Sequence, residues 1–227
     1  MSLWIITVNF GDTKATKVLI ESLSIIDNFD SIIVGIADNA ASKLSSDQLK
    51  KIVSETNLEV KIFPFKKNIY YWPAAKRVIN SLKSSIGSYP NWIIVCNNDV
   101  TFLDKNFFRD LSKIDSEKYP IIGPNIINSK GKQLNPFMFS SLSIMEKLYW
   151  KIYFISYPIS VIMLSIKKWF SKLKSRSNLA DSDLIKEVYA VHGSAIIFSG
   201  YFFERGGWLD DNFEMYGEEL TLAEIAK

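Results

Sequence analysis

The sequence predicts an α/β protein with a mostly parallel central sheet, helices on both faces and a helical amphipathic insertion. The first observation is a set of four compact apolar runs, each separated from the next by a stretch with helical spacing. The runs start at residues 3, 32, 58 and 92, so they are 29, 26 and 34 residues apart, close to the roughly 30-residue βαβ unit. A chain of 227 residues that is 48% hydrophobic is also large enough to bury a sizeable core.

The four apolar runs are the predicted strands. They are Leu3 to Val8, Ile32 to Ala37, Leu58 to Phe63 and Trp92 to Cys96. Three are apolar almost throughout, which is typical of parallel strands buried on both faces, whereas the third run alternates as an outer strand does. Their spacing predicts a parallel sheet with right-handed crossovers. Asn9, Asp38 and Asn97 to Asp99 follow the strands, so we expect them along one crevice outside the carboxyl ends.

After Asp104 the pattern changes. Ile121 to Pro124 and Val188 to Phe198 are predicted strands, and residues 137–180 form a long apolar and basic insertion between them. The 15 residues from Ile152 to Ile166 carry no charge. A helix that spans a bilayer needs about 20 apolar residues, and Pro158 interrupts this shorter run. We therefore predict that the insertion does not span a membrane.

Cations and aromatic residues flank this uncharged run. The cations are Lys147, Lys151, Lys167, Lys168, Lys172, Lys174 and Arg176, and the aromatic residues are Tyr149, Trp150, Tyr153, Trp169 and Phe170. Such a mixture suits the headgroup boundary of a membrane, where rings and lysine heads each find a favourable solvent. A helical hairpin packed on the sheet or on a second subunit explains the pattern as well. The sequence leaves both interpretations open.

Charge and cysteine content exclude several functional classes. The 27 basic and 24 acidic residues give a net charge of +3, which is too balanced to indicate nucleic-acid binding. One cysteine, Cys96, excludes an internal disulfide, and one histidine, His192, excludes a histidine-rich metal site. The first ten residues lack the basic start and cleavage site of a signal peptide. We expect a cytoplasmic protein in a reducing compartment.

The turn Asn97-Asn98-Asp99 is the first candidate site. A short acidic turn at the end of a buried strand can aim one carboxylate at a divalent cation, while the amides bind hydroxyl groups. A cation there would bridge two phosphates and stabilise a departing nucleoside diphosphate. Asparagine and aspartate are also common turn formers. Taken alone, the turn is better explained by that structural role.

The pair Glu218 and Glu219 is the second candidate site, because a carboxylate here could deprotonate an acceptor hydroxyl. Acidic residues at a helix start are also favoured by the helix dipole, without a catalytic task. The sequence has no GxGxxG after its first strand and no GxxxxGK[ST], so phosphate binding would need a cation. With no G-x-S-x-G elbow and His192 in an apolar strand, a hydrolase triad has little support.

Seven short motifs occur in order along residues 3–222. They are Ile5-Ile6-Thr7-Val8-Asn9-Phe10, Ile36-Ala37-Asp38-Asn39-Ala40-Ala41-Ser42, Asn68 with the following helix, Cys96-Asn97-Asn98-Asp99-Val100, Ile122-Gly123-Pro124-Asn125-Ile126, His192-Gly193-Ser194-Ala195, and Gly206-Gly207-Trp208-Leu209-Asp210 leading into Met215-Tyr216-Gly217-Glu218-Glu219. Each motif is weak alone. Together they resemble the family 2 glycosyltransferases, particularly the rhamnosyltransferase-like members that build bacterial surface polysaccharides.

The resemblance implies a GT-A, Rossmann-like fold in one domain over residues 1–227, with a nucleotide-binding half (1–104) and an acceptor half (105–227). It implies an inverting hexosyl- or deoxyhexosyltransferase that uses a nucleotide-diphosphate sugar and Mg²⁺ or Mn²⁺. By position, Thr7, Asn9 and Asp38 would contact the base and ribose, and Asn68 would support the nucleotide pocket. Asn98 would contact the sugar or ribose, and His192 and Gly193 would lie near the donor sugar. Asp99 would hold the metal, and Glu219, or else Glu218, would be the base.

The chain departs from the family in three places. Where the family often has glycines and an asparagine after Asn68, this chain has the bulky segment 70–75, which is expected to reshape the donor pocket. Thr221 replaces an acidic residue, and the chain stops at Lys227, before a helix and an arginine that family members often carry. We therefore expect a truncated copy.

Two functional hypotheses follow. The leading one is transfer of a sugar to a glycan or lipid-linked acceptor at the cytoplasmic face of the membrane. The alternative is a catalytically inactive subunit that binds nucleotide sugars or assists assembly. A third hypothesis, a membrane-associated protein whose sheet is only a scaffold, would predict lipid binding without nucleotide binding.

Overall fold

The computed structural model describes residues 2–24, 31–39, 41–171, 186–212, 214 and 217–226. Within these residues one sheet contains six strands: β1 (Ser2–Asn9), β2 (Ser31–Asn39), β3 (Glu59–Phe65), β4 (Trp92–Asn97), β5 (Ile121–Ile122) and β6 (Ala195–Ser199). The helices described are α1 (Lys14–Ser24), α2 (Lys43–Ser54), α3 (Tyr71–Ile86), α4 (Phe107–Leu111), α5 (Ile144–Tyr153), α6 (Tyr157–Ser171), α7 (Gly200–Glu204) and α8 (Glu218–Ile225). Ala40, Lys172, Lys174, Arg176, Met215 and Tyr216 lie outside the described residues.

The strand order is β3-β2-β1-β4-β6-β5. The first four strands are parallel, β6 runs antiparallel to β4, and β5 runs antiparallel to β6. The predicted α/β fold with a mostly parallel sheet is therefore confirmed, as is the outer position of the third strand. The last strand is shorter than predicted and starts at Ala195, which pairs with Cys96 near the end of β4.

Two hydrophobic clusters cover the two faces of the sheet. One contains Leu3 and Ile5 of β1 together with residues of α1, α2 and α4. The other contains Trp4 and Ile6 of β1 together with residues of α3, α7 and α8. Because successive side chains of a strand point to opposite faces, each central strand contributes to both clusters. This two-sided burial explains why the central strands are apolar almost throughout.

Helix α3 lies close to the sheet at Gly35 of β2. A Cβ atom at this position would be 2.6 Å from Cγ1 of Val78 and 3.1 Å from Cδ1 of Ile6. Glycine is therefore required by the close approach of the helix. Since α3 starts just beyond the carboxyl end of β3, this packing fixes its first turn at that edge of the sheet.

The chain divides into two compact units. The first contains Met1–Phe137 and Ala190–Lys227, and the second is the insertion, Met138–Tyr189. The insertion contains α5 and α6, so its predicted helical character is confirmed where the structure describes it. Ser143 caps α5 by accepting a hydrogen bond from the Glu146 N–H at 3.2 Å. Among the described helices, none has both the length and the apolar character needed to cross a bilayer.

Candidate functional site

The carboxyl edge of the parallel strands brings several of the predicted site residues together. Asn9 of β1 lies beside Asp38 of β2 in the strand register. By strand alternation, Thr7, Asn9 and Asp38 share the face that packs on α1 and α2. The chain passes from one side of β1 to the other between β3 and β4, so this edge is a topological switch point. Ligands of open α/β sheets bind at such points.

Four buried side-chain atoms in the described residues lack a hydrogen-bond partner. They are Oγ1 of Thr7, Nδ2 of Asn9, Oδ1 of Asp38 and the hydroxyl oxygen of Tyr71. An unpaired buried polar group costs about 1–3 kcal/mol, so native proteins retain few of them. All four residues belong to strand or helix ends at the same edge of the sheet. Their concentration there is typical of a binding site whose ligand supplies the missing partners.

A buried threonine connects Asn9 with the Asn97-Asn98-Asp99 turn. Thr16 of α1 donates its hydroxyl hydrogen to Oδ1 of Asn9 at 2.7 Å. The same hydroxyl oxygen accepts a hydrogen bond from Nδ2 of Asn98 at 3.1 Å. This chain of bonds orients the Asn9 amide so that its Nδ2 is the unpaired group. Sequence reasoning missed Thr16, because a threonine in an amphipathic helix carries no distinguishing signal.

Of the two oxygens of the Asp38 carboxylate, Oδ2 is hydrogen-bonded and Oδ1 is not. Its Oδ2 accepts hydrogen bonds from the hydroxyls of Ser45, at 3.2 Å, and Ser46, at 2.9 Å. Ser45 also takes part in the capping box that starts α2. A cleft of about 290 Å³ lies beside this serine and is lined by Gly11, Asp12, Ser42, Leu44, Ser45 and Gln48. Its volume is close to the lower end of the range for ligand pockets.

The loop between β3 and α3 is organised by asparagines on the other face. Nδ2 of Asn39 donates to Oδ1 of Asn68 at 2.7 Å, and Oδ1 of Asn39 accepts from the Ile69 N–H at 2.8 Å. The Tyr70 N–H donates to Oδ1 of Asn68 at 2.8 Å. The structure thus places Asn68 as a support of this loop.

Tyr70 has a backbone conformation that favours glycine. Its φ is 63° and its ψ is −175°, a region that a residue with a Cβ occupies at a cost of about 1–3 kcal/mol. The strain is maintained by hydrogen bonds to Asn68 and from Asn39 to the Tyr70 carbonyl. The resemblance noted above places glycine in this segment, and the backbone at Tyr70 adopts a conformation that glycine suits.

The bulky residues that follow have different environments. Trp72 is 1% exposed and packs in the core under α3, so its ring is part of the core. Tyr71 has a buried hydroxyl, and burial raises its pKa well above the usual value. Cys96, Glu218, Asp99 and Glu219 raise this pKa further when they are in their charged forms. The hydroxyl therefore stays protonated and is a hydrogen-bond donor near both predicted acidic sites.

The turn after β4 is held against the segment that precedes β6. The Asn97 N–H donates to the Ser194 carbonyl at 2.9 Å. The Asp99 side chain is exposed, whereas Cys96 before it is fully buried. Burial, with a contribution from Asp99, raises the pKa of the Cys96 thiol to about 12. Cys96 is therefore a packing residue, and Asp99 is the most exposed of the three residues of this turn.

Glu219 contacts the His192-Gly193-Ser194 motif. The Gly193 N–H donates to Oε1 of Glu219 at 3.1 Å. Because the adjacent Ser194 binds the turn at Asn97, Glu219 and the Asp99 turn are connected through two consecutive residues. The structure thus distinguishes Glu219 from Glu218 by a specific contact with the motif.

His192 is fixed by hydrogen bonds of its own. The backbone N–H of His192 donates to Oδ1 of Asn135 at 2.6 Å. Its ring Nδ1 lies 2.9 Å from Oγ of Ser194, and the Ser194 N–H is directed at the same ring atom at 3.2 Å. The ring also lies edge-on to Phe137, with 6.2 Å between ring centroids.

A metal ion at the Asp99 turn would need ligands other than the side chains described there. In the part of the chain that the structure describes, no group of three or more His, Cys, Asp or Glu side chains could hold a metal. The exposed carboxylate of Asp99 can supply one oxygen ligand. Mg²⁺ at nucleotide sites is commonly bound by one or two carboxylates together with phosphates and water. The residues therefore fit a cation that arrives with a diphosphate.

Comparison with known proteins gives structural neighbours only. No protein-family model matches the chain, and no curated protein matches it in sequence. S. aureus TarS has a TM-score of 0.63 at 12% identity, with 100% of this chain and 55% of that chain covered. TarS in complex with UDP-GlcNAc has a TM-score of 0.61 at 12% identity, covering 100% and 53%.

The mannosyltransferase PcManGT from Pyrobaculum calidifontis, in complex with GDP-Man and Mn²⁺, has a TM-score of 0.52 at 10% identity, covering 99% and 50%. This chain has the fold of these glycosyltransferases. At such low identity the likeness establishes the fold alone. The chain spans about half the length of the solved structures that it matches.

Proposed function

We propose that this protein is an inverting, metal-dependent glycosyltransferase that moves a sugar from a nucleotide-diphosphate sugar to an acceptor hydroxyl. One observation carries the proposal: buried side-chain atoms of Thr7, Asn9, Asp38 and Tyr71 lack hydrogen-bond partners, and all four residues belong to elements that reach the carboxyl edge of the sheet. The fold supports it, because solved neighbours are bound to UDP-GlcNAc or to GDP-Man with Mn²⁺.

The nucleoside would bind on the α1–α2 face of this edge. Oδ1 of Asp38 accepts a hydrogen bond from an N–H of the base, while Nδ2 of Asn9 and Oγ1 of Thr7 supply donors to base or ribose oxygens. The base would lie at the cleft beside Ser45, whose hydroxyl donates to Asp38. Asn68 supports the neighbouring loop, and Asn98 contacts ribose or sugar.

The diphosphate and the sugar would lie toward the Asn97-Asn98-Asp99 turn. Asp99 would hold Mg²⁺ or Mn²⁺, and the bound cation would neutralise the charge that develops on the departing diphosphate. Tyr71 would donate its hydroxyl hydrogen to the donor substrate, because its raised pKa keeps the group neutral. His192 and Gly193 lie on the side of the site where Glu219 is held.

Glu219 would be the general base. Its carboxylate takes the proton of the acceptor hydroxyl as that oxygen bonds to the anomeric carbon. The bond from the anomeric carbon to the phosphate oxygen breaks, and the nucleoside diphosphate leaves with the electron pair. Attack opposite the leaving group inverts the anomeric configuration. The Gly193 N–H holds Oε1 of this carboxylate, and Oε2 would take the acceptor proton.

The acceptor in this proposal is a glycan or lipid-linked glycan of a cell-surface polysaccharide, at the cytoplasmic face of the membrane. The rhamnosyltransferase-like motif set supports a deoxyhexose or hexose as the transferred sugar. Thr221, in place of the family's acidic residue, lies in α8 and donates its hydroxyl to backbone carbonyls. It is therefore structural in this chain.

A thermal-shift panel tests the proposal, because a ligand that binds the native state raises its apparent stability. Nucleoside diphosphates and nucleotide sugars are compared with and without MnCl₂, using the wild type and Asp99→Asn. We expect a shift that requires both nucleotide and metal, and the loss of this metal-dependent shift in the variant. No shift with any nucleotide would overturn the proposal. Binding without turnover across donors and acceptors would instead indicate a binding subunit.

A further inference from the structure

The helical insertion exposes a large apolar surface. Helix α5 has no buried residue, and the three residues 154–156 connect it to α6. The side chains at this tip are among the most exposed apolar groups described, with Phe154 75% exposed, Ile155 68% and Tyr157 81%. Exposed apolar groups at such density mark an interaction surface.

The tip of the hairpin is uncharged, and the lysines of α5 and α6 lie away from it. The residues from Ile152 to Ile166, which surround the tip, carry no charge, and Lys151 is the nearest cation on α5. Lys151 lies three residues before Phe154, about 5 Å along a helix. On α6 the first cations in the sequence are Lys167 and Lys168, about 15 Å from its start. Apolar groups thus occupy the tip, and cations begin farther along both helices.

Aromatic residues flank Lys151 on α5. Trp150 packs edge-on to Tyr153, with 5.3 Å between ring centroids, and stacks on Phe154, with 5.9 Å between centroids. Rings of this kind favour the boundary between hydrocarbon and headgroups. The lysines beside them can extend their stems along apolar surface while the ammonium groups stay in water.

We infer that the α5–α6 hairpin docks tip-first on a membrane surface that contains anionic lipid, with Phe154, Ile155 and Tyr157 below the headgroups and Lys147 and Lys151 among them. Interfacial segments bury about 5–10 Å, which agrees with the position of Lys151 on α5. The hairpin enters one leaflet only, since no described helix is able to span. The inference concerns the insertion and does not depend on the transfer chemistry.

Lipid fits this surface better than a protein partner. The core of a protein–protein interface is depleted of lysine, whereas Lys147 and Lys151 are both exposed on α5 within one or two turns of the tip. Anionic headgroups attract each such cation by about 1 kcal/mol. The tip supplies apolar burial and the lysines supply charge, which are the two contributions that reversible membrane binding combines.

Vesicle flotation tests the inference. The full chain is mixed with vesicles of phosphatidylcholine alone or of phosphatidylcholine with phosphatidylglycerol. We expect flotation with the anionic vesicles that weakens with salt. The double variant Phe154→Ser/Ile155→Ser should lower the partition coefficient by at least about tenfold, and Lys147→Glu/Lys151→Glu by roughly the same factor. Leu103→Ser is the matched control, because Leu103 is 83% exposed but lies outside the insertion.

A fluorescent label at the tip reports the depth directly. The native Cys96 is buried, so an environment-sensitive dye on Ile155→Cys can be attached selectively. Its emission should shift to the blue with anionic vesicles, whereas the same dye on Leu103→Cys should not shift. Absence of flotation, or equal flotation of the tip variant, would overturn the inference. A dimer in light scattering that the tip variant abolishes, without vesicle binding, would show that a second copy covers the surface.

Discussion

The Gly193 N–H donates a hydrogen bond to Oε1 of Glu219, with 3.1 Å between the two atoms. This contact joins the paired-acid motif to the His192-Gly193-Ser194 motif across 26 residues of sequence. A Cβ on residue 193 would be 2.8 Å from the same Oε1 and 3.2 Å from Cδ of Glu219. Glycine is therefore needed at this position if the carboxylate is to stay where the contact holds it.

Gly193→Ala is expected to reduce transfer while leaving the fold and nucleotide binding nearly unchanged. The added methyl group meets the end of the flexible Glu219 side chain, which can rotate away at little cost. A displaced base loses most of its catalytic contribution, typically about 10²–10⁴-fold. Steady-state kinetics should show a kcat at least about 10²-fold lower, with an unchanged thermal shift by nucleotide. An unchanged kcat would contradict the role given to this contact.

Glu219→Gln is expected to lower kcat by about 10²–10⁴-fold with little loss of stability. The amide oxygen of glutamine can still accept the hydrogen bond from Gly193, but the amide cannot take a proton at neutral pH. Glu218→Gln is the paired variant and should cause the smaller loss. If the Glu218 variant were the less active of the two, Glu218 would be the base.

Tyr71→Phe is expected to weaken ligand binding without lowering the stability of the protein. The Tyr71 hydroxyl is buried without a partner, so its removal should keep or raise the free energy of unfolding by up to about 1 kcal/mol. The same change should weaken nucleotide-sugar binding about tenfold, the loss of one hydrogen bond to a ligand. Denaturant unfolding and titration calorimetry measure the two effects.

Tyr201→Phe is the control for this change. The Tyr201 hydroxyl donates to Oε1 of Glu117 at 2.7 Å, away from the site, so its removal should not weaken ligand binding. A Tyr71 variant that is less stable and binds normally would show that the hydroxyl has a structural partner.

Thr16→Val is expected to weaken nucleotide binding because it breaks the two hydrogen bonds of the Thr16 hydroxyl, one to Asn9 and one from Asn98. Valine preserves the shape of the side chain but leaves the two amides without their buried partner. Thr16→Ser retains the hydroxyl and should restore binding.

Ser22→Ala in the same helix is the matched control for Thr16. Ser22 is also buried and accepts a hydrogen bond from the Phe102 N–H at 3.2 Å. Its loss should reduce stability by about 1 kcal/mol without changing nucleotide affinity. If both variants lost affinity equally, the effect of Thr16 would be a general one on packing of α1.

The Cys96 thiol is expected to report unfolding and to make the protein less stable in alkali. Its pKa is raised from 9.0 to about 12 in the folded state, so between these values the unfolded chain releases a proton that the native protein keeps. The contribution to stability is complete below pH 9 and falls as the pH rises toward 12. Cys96→Ala should flatten this part of the pH profile. In native wild-type protein at pH 8, iodoacetamide should react only as fast as the chain opens.

The fold was predictable from local pattern. The central strands are buried on both faces, so β1, β2 and β4 appear in the sequence as nearly continuous apolar runs. The length of the crossovers predicts that these strands are parallel, and parallel strands place their carboxyl ends at the same edge of the sheet. For this reason the sequence assigns Asn9, Asp38 and Asn97 to Asp99 to one edge, whereas Thr7 is indicated only by the family resemblance. The short β5 and the late start of β6 were less predictable, because their ends depend on the pairing partner.

The sequence by itself determined the sheet, its direction and the residue types at its edge, since these depend on burial and on neighbours along the chain. Only the tertiary structure decided which atoms are paired. It showed that Thr16 connects Asn9 to Asn98, that Ser45 and Ser46 occupy one oxygen of Asp38, and that Glu219 contacts Gly193. These hydrogen bonds join groups from separate elements. Their formation depends on helix placement within fractions of an ångström, which no local pattern encodes.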